Sequence, residues 1–196
     1  MRRRAGSRPA HPLGSRPDPM DALFVALALL PLSLGCAAVR DAGEPVAAGT
    51  DRAFSHTVRV GAPPEAVWAL WTDVAGWPRW DTELDSASLD GPFAAGARGR
   101  LVPKRGPSAR FTVTELDPGR SYTFETALPM ARLRVRRFWT EAAGGPEITH
   151  AVSFHGPLGG VFARRLGPAF RRALPPVMEH VRALVEADGA SPGGAP

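Results

Sequence analysis

Cysteine is almost missing from this chain: Cys36 is the one thiol in 196 residues. No disulfide can close within the chain, and no zinc site built on several thiolates can form. Lysine is equally scarce. Lys104 is the only one, so arginine carries the net charge of +5. Together with 21 glycines, 21 prolines and many alanines, that choice reads as compositional bias rather than a binding signal. Arg2, Arg3, Arg4, Arg8 and Arg16 also lie ahead of any domain-like pattern. With no reader motif, nucleic acid is not an expected partner. HExxH, GxGxxG, P-loop and GxSxG patterns are absent, so the sequence offers no signal for metalloprotease, dinucleotide, nucleoside-phosphate or serine-hydrolase chemistry. No metal and no cofactor is expected.

Long apolar runs are missing too, with one exception. Residues 22–39 carry no charge, although Pro31 and Gly35 interrupt them. That length suits a signal-peptide core and is marginal for a membrane span. Leu32-Ser33-Leu34-Gly35-Cys36 resembles a lipoprotein cleavage box with Cys36 as the lipidation candidate, although Ser33 stands where leucine is usual. Cleavage after Ala38 also fits a small-x-small rule. The leading reading is an exported or membrane-anchored, lipoprotein-like chain. The alternative is a cytoplasmic chain with an apolar leader. The start is open between Met1 and Met20, and from Met20 the basic region ahead of the apolar run would be lost. Residues 1–50 are therefore read as an Arg/Pro-rich segment, apolar leader and linker, residues 51–187 as the domain, and residues 188–196 as a disordered tail.

Within the domain, hydrophobic period decides the elements. Residues 54–60 alternate apolar and polar, which predicts a half-buried strand. Pro63-Pro64 then opens a helix, with Glu65 in its first turn and Val67, Leu70, Trp71 and Val74 on one face. Gly76 and Trp77-Pro78 are expected to stop it. Short strands follow near residues 86–89, 99–103, 109–116, 121–126, 132–139 and 148–154, separated by turn signals such as Asp117-Pro118-Gly119. After Gly156-Pro157-Leu158-Gly159-Gly160 the period becomes helical through Val185. Pro168 and Pro175-Pro176 are expected to kink or break that long helix. A curved antiparallel sheet leaves one face bare, and only the C-terminal helix is long enough to cover it. The space between the two predicts an apolar cavity.

Three segments carry a family resemblance: Ala62-Pro63-Pro64-Glu65-Ala66-Val67-Trp68, then residues 74–81 ending in Trp80-Asp81, then Gly156-Pro157-Leu158-Gly159-Gly160 with its helix. They resemble the SRPBCC or START-like superfamily, in its polyketide cyclase/dehydrase-like branch, over residues 54–186. The resemblance implies an α+β helix-grip fold, in which a curved antiparallel sheet wraps around a long C-terminal helix, with an internal hydrophobic pocket. The superfamily has no universal catalytic residue to carry over.

The implied function is binding or carriage of a small hydrophobic ligand, lipid or polyketide-like, by a monomer. The expected lining is Trp80, Phe111, Phe124, Leu133, Phe138, His150, Phe154, Phe170 and Met178. Trp77 and Trp80 also suit plain core packing. His150 shares a strand face with Ile148, Val152 and Phe154, so it is the one candidate acid/base. Its bland reading is a histidine satisfied by one hydrogen bond, or exposed to solvent if that face is reversed. Arg132, Arg134 and Arg136 share the opposite phase to Leu133 and Val135. Three arginines in an apolar cavity would be prohibitive, so they are expected to face solvent, where they could also meet anionic headgroups. Two further functions stay open: a cyclase or dehydratase using His150, and a ligand-free partner-binding domain with a filled core.

Overall fold

The computed structural model describes residues 50–190. The apolar run and Cys36 lie outside the described residues, and among the described residues no helix is long and apolar enough to cross a membrane. Strand β1 (Ala53–Arg59) leads to α1 (Pro64–Thr72) and a 3-10 turn (Val74–Arg79). Strands β2 (Leu84–Leu89), β3 (Arg98–Pro103), β4 (Ala109–Asp117), β5 (Ser121–Leu128), β6 (Ala131–Ala142) and β7 (Gly145–His155) follow. The chain then runs into α2 (Gly159–Ala190). All pairings are antiparallel, in the order β1-β7-β6-β5-β4-β3-β2. The sheet curls into a half-barrel, and α2 lies against β1, β7 and β6 and touches α1. This is the helix-grip architecture.

Each element has a local cause. Pro64 starts α1, since its missing N–H is one the first turn leaves unpaired anyway. Val67, Leu70 and Trp71 bury its inner face. The helix stops at Thr72, four residues before the expected glycine stop. There the Asp73 carboxylate accepts the Gly76 N–H at 3.2 Å and tightens the chain into the 3-10 turn. A side chain at Gly76 would meet that carboxylate at 2.2 Å and displace it from this cap. The turn places Trp77 and Trp80, both fully buried, under the sheet.

Helix α2 departs from expectation. Pro168, Pro175 and Pro176 lie inside one continuous helix. Each proline costs a backbone donor, but Leu174, Val177, Met178, Val181 and Val185 bury the face that grips the sheet. Burying a side chain of this size contributes about 1.5–3 kcal/mol, and that face outweighs the lost bonds. The helix also continues to Ala190, past the boundary expected at residue 188.

Candidate functional site

The sheet's inner face is written in the register of its central strands. Phe124, Val135 and Val152 stand opposite one another across β5, β6 and β7, as do Thr126, Leu133 and Phe154. The next row differs. Tyr122 on β5 faces Arg137 on β6, Arg137 faces His150 on β7, and His150 faces His56 on β1. Directly opposed residues put their side chains on the same face, about 5 Å apart. One row of titratable side chains therefore crosses a surface whose neighbouring rows are apolar apart from Thr126.

A cavity of about 270 Å³ lies between this face and α2. Leu101, Pro103 and Ala109 line its far side, Phe124, Thr126, Leu133 and Val135 its floor, and Ala169, Phe170, Ala173, Leu174 and Val177 of α2 its roof. Arg137, His150, Asp81 and Glu83 gather the charge and hydrogen-bonding capacity, beside the indole of Trp77.

Arg137 is 2% exposed. Its guanidinium sits 4.6 Å from the ring centres of both Trp77 and Trp80, and 5.4 Å from that of Phe124. It donates one hydrogen bond to the Tyr122 hydroxyl. Among the described residues its Nε has no hydrogen-bond partner, and neither does Nδ1 of His150 nor the indole N–H of Trp80. Among the described residues no carboxylate lies within ion-pairing distance of Arg137, taken as 4.0 Å.

The charge of Arg137 reaches its neighbours all the same. Burial lowers the pKa of His150 well below its ordinary 6.5, and Arg137 lowers it further, so the ring is neutral at pH 7. Burial raises the Asp81 carboxyl above 3.8, with Arg137 opposing. Burial likewise raises the Tyr122 hydroxyl above 10, again against Arg137. A neutral imidazole has one donor and one acceptor nitrogen. This end of the cavity therefore offers a fixed cation, a polar ring and a carboxyl whose pKa burial raises.

Of the nine residues expected to line the pocket, Phe124, Leu133, His150 and Phe170 do so in this structure. The other five lie elsewhere. Trp80 is fully buried behind the wall, 6.0 Å from Trp77 and beneath Arg137. Phe111 packs against Trp77 at 5.6 Å and Phe124 at 5.1 Å. Phe154 sits edge-on behind Phe170 at 6.3 Å. Met178 is buried on α2 beyond the cavity. Phe138 belongs to the opposite face of β6, where Arg136 stacks on its ring at 5.0 Å. That face also carries the arginines. Arg132 is exposed, and Arg134 pairs with Glu125 at 2.9 Å. Sequence reasoning missed Arg137, although its place four residues after Leu133 and two after Val135 puts it in the inward phase.

Three comparisons bear on the chain. No curated protein matches it. Among solved structures, a Mesorhizobium loti protein superposes with a TM-score of 0.57 at 20% identity, over 69% of this chain and 98% of its own. A Thermus thermophilus protein does so with a TM-score of 0.56 at 17% identity, over 70% and 99%. The di-domain ARO/CYC StfQ from the steffimycin biosynthetic pathway has a TM-score of 0.58 at 9% identity. The match covers 70% of this chain and 52% of StfQ. Identities this low speak for the fold alone. The family model described as "Polyketide cyclase / dehydrase and lipid transport" matches residues 51–186, from just ahead of β1 to near the end of α2. The chain therefore belongs to the polyketide cyclase/dehydrase and lipid transport family.

Proposed function

We propose that this protein binds or carries one small, mainly apolar molecule in the cavity between the sheet and α2. The observation that carries this reading is the cavity itself, about 270 Å³ walled by Phe124, Leu133, Val135, Phe170, Leu174 and Val177. Interiors pack to a density near 0.75, so that space corresponds to about 10–12 non-hydrogen atoms of a bound molecule. A short acyl chain or a fused pair of rings fits that count. The partner-binding alternative calls for a filled core, and an open cavity speaks for a ligand instead. Ala173→Phe tests the reading. Ala173 is on the roof, and an aromatic ring there occupies the space. Octanol binding, followed by calorimetry, is expected to weaken at least tenfold with the fold intact. Unchanged binding would place the ligand elsewhere.

A second reading has its own observation. His150 lines the cavity with Nδ1 unpartnered and Arg137 directly opposite. A neutral imidazole beside a fixed cation suits proton transfer at a carbon next to a carbonyl, the step a cyclase or dehydratase needs. His150→Gln retains a hydrogen-bonding side chain without the titration. Cyclisation or dehydration of a polyketide-type substrate that survives this change would remove His150 from that role.

A further inference from the structure

We propose that the cavity's ligand ends in one anionic oxygen (carboxylate, enolate or phenolate), received by Arg137 with His150 beside it. This rests on the cavity-binding reading above.

The argument begins with a charge that has nowhere to go. A guanidinium stays protonated in any protein setting. A buried charge needs a counter-charge, because neither tryptophan faces nor a phenol hydroxyl neutralise it. Two better-exposed arginines of the sheet do have carboxylate partners. Arg59 pairs with Glu147 and Arg134 with Glu125, both at 2.9 Å. Arg137 is more deeply buried than either, at 2% exposure, and among the described residues has no carboxylate within 4.0 Å.

The orientation of the unmet groups adds the second observation. Arg137 Nε and His150 Nδ1 are both buried and unpartnered, on side chains that line the same cavity from directly opposed positions of β6 and β7. A carboxylate offers two oxygens and suits two such groups on neighbouring strands. An amine head would be repelled by Arg137. An alcohol could meet one hydrogen bond but would leave the charge uncompensated.

Asp81 is the internal rival for this role. It is on the cavity wall and feels Arg137, yet it lies beyond ion-pair distance and accepts the Glu83 N–H at 3.2 Å instead. It leaves the guanidinium open while discouraging a second anion, so its removal should help an anionic ligand.

The test uses the full-length chain and three probes of one chain length: octanoate, octanol and octylamine, each followed by calorimetry. Wild type is expected to bind octanoate at least tenfold more tightly than octanol, with octylamine weakest. Arg137→Met should erase the octanoate preference and retain octanol. Asp81→Asn should tighten octanoate severalfold and leave octanol unchanged. Octanol binding as tightly as octanoate in wild type overturns the anionic assignment and leaves the apolar-cavity reading standing. A preference that survives Arg137→Met overturns it as well. Should that variant fail to fold, Asp81→Asn decides: octanoate affinity that does not rise overturns the assignment. Failure of octanoate and octanol alike to bind wild type overturns both readings.

Discussion

If Arg137 is held for a ligand, the empty protein should gain little from it. Arg137→Met measures that. The substitution removes a charge-assisted hydrogen bond to Tyr122, worth about 1.5–3 kcal/mol. It also removes stacking on Trp77 and Trp80 at 4.6 Å each, worth about 2 kcal/mol when desolvated. Against this stands the burial of an uncompensated guanidinium at 2% exposure, an effective cost of several kcal/mol. The unmade bond at Nε adds about 1–3 kcal/mol to that cost. Methionine has a similar length and adapts to an irregular apolar slot. The two sides cancel to within about 1–2 kcal/mol, so Arg137→Met should unfold near the wild-type urea midpoint. Truncating a large ring of the same cluster, as in Phe124→Ala, should cost about 3–5 kcal/mol. Urea unfolding at pH 7, read by tryptophan fluorescence and circular dichroism together, supplies both values. A loss of about 3 kcal/mol or more for Arg137→Met, the size of a core truncation, would refute the reasoning, because the guanidinium would then be organising the aromatic cluster rather than awaiting a ligand.

Two further outcomes follow from the same geometry. Gly99→Ala should destabilise by about 2 kcal/mol or more, since its Cβ would lie 2.3 Å from the Ser88 carbonyl oxygen and 2.4 Å from the Phe111 ring; a neutral result in urea unfolding would show that β2 and β3 yield more easily than their pairing implies. His150 has a folded-state pKa below its ordinary 6.5, so the unfolded chain binds the extra proton as pH falls beneath that value. Stability is therefore lost on acidification between 6.5 and the depressed pKa, at up to about 1.4 kcal/mol per pH unit. The wild-type curve minus that of His150→Gln isolates this slope, and a difference that stays flat as pH falls below 6.5 would place the imidazole in contact with water.

Much of this molecule was legible in its sequence, and the parts that were not share a cause. Alternation at β6 separates Leu133 and Val135 from Arg132, Arg134 and Arg136, because a pleated strand reports its two faces residue by residue. The same rule places Arg137 inside and Phe138 outside. Residue type argued the other way at both positions: arginine is rarely buried alone, and phenylalanine rarely turns outward. A lone inward arginine is thus a breach of the usual preference, and such breaches tend to mark functional sites. Trp80 was harder to place. It follows a 3-10 turn, whose tight and short geometry gives no extended period to read. The prolines of α2 show the opposite limit, where a strong local rule gives way to the buried face of a long helix. The cavity is the difference between two curved surfaces, and no single residue encodes it.

The account turns on whether a ligand enters between the sheet and α2. Nuclear Overhauser contacts between octanoate and the methyl groups of the full-length chain test this directly. The account predicts contacts from the alkyl chain to Leu133, Val135, Leu174 and Val177, with the carboxylate end nearest His150. Contacts confined to the exposed Met130 and Val161, or no contacts at saturating octanoate, would contradict it.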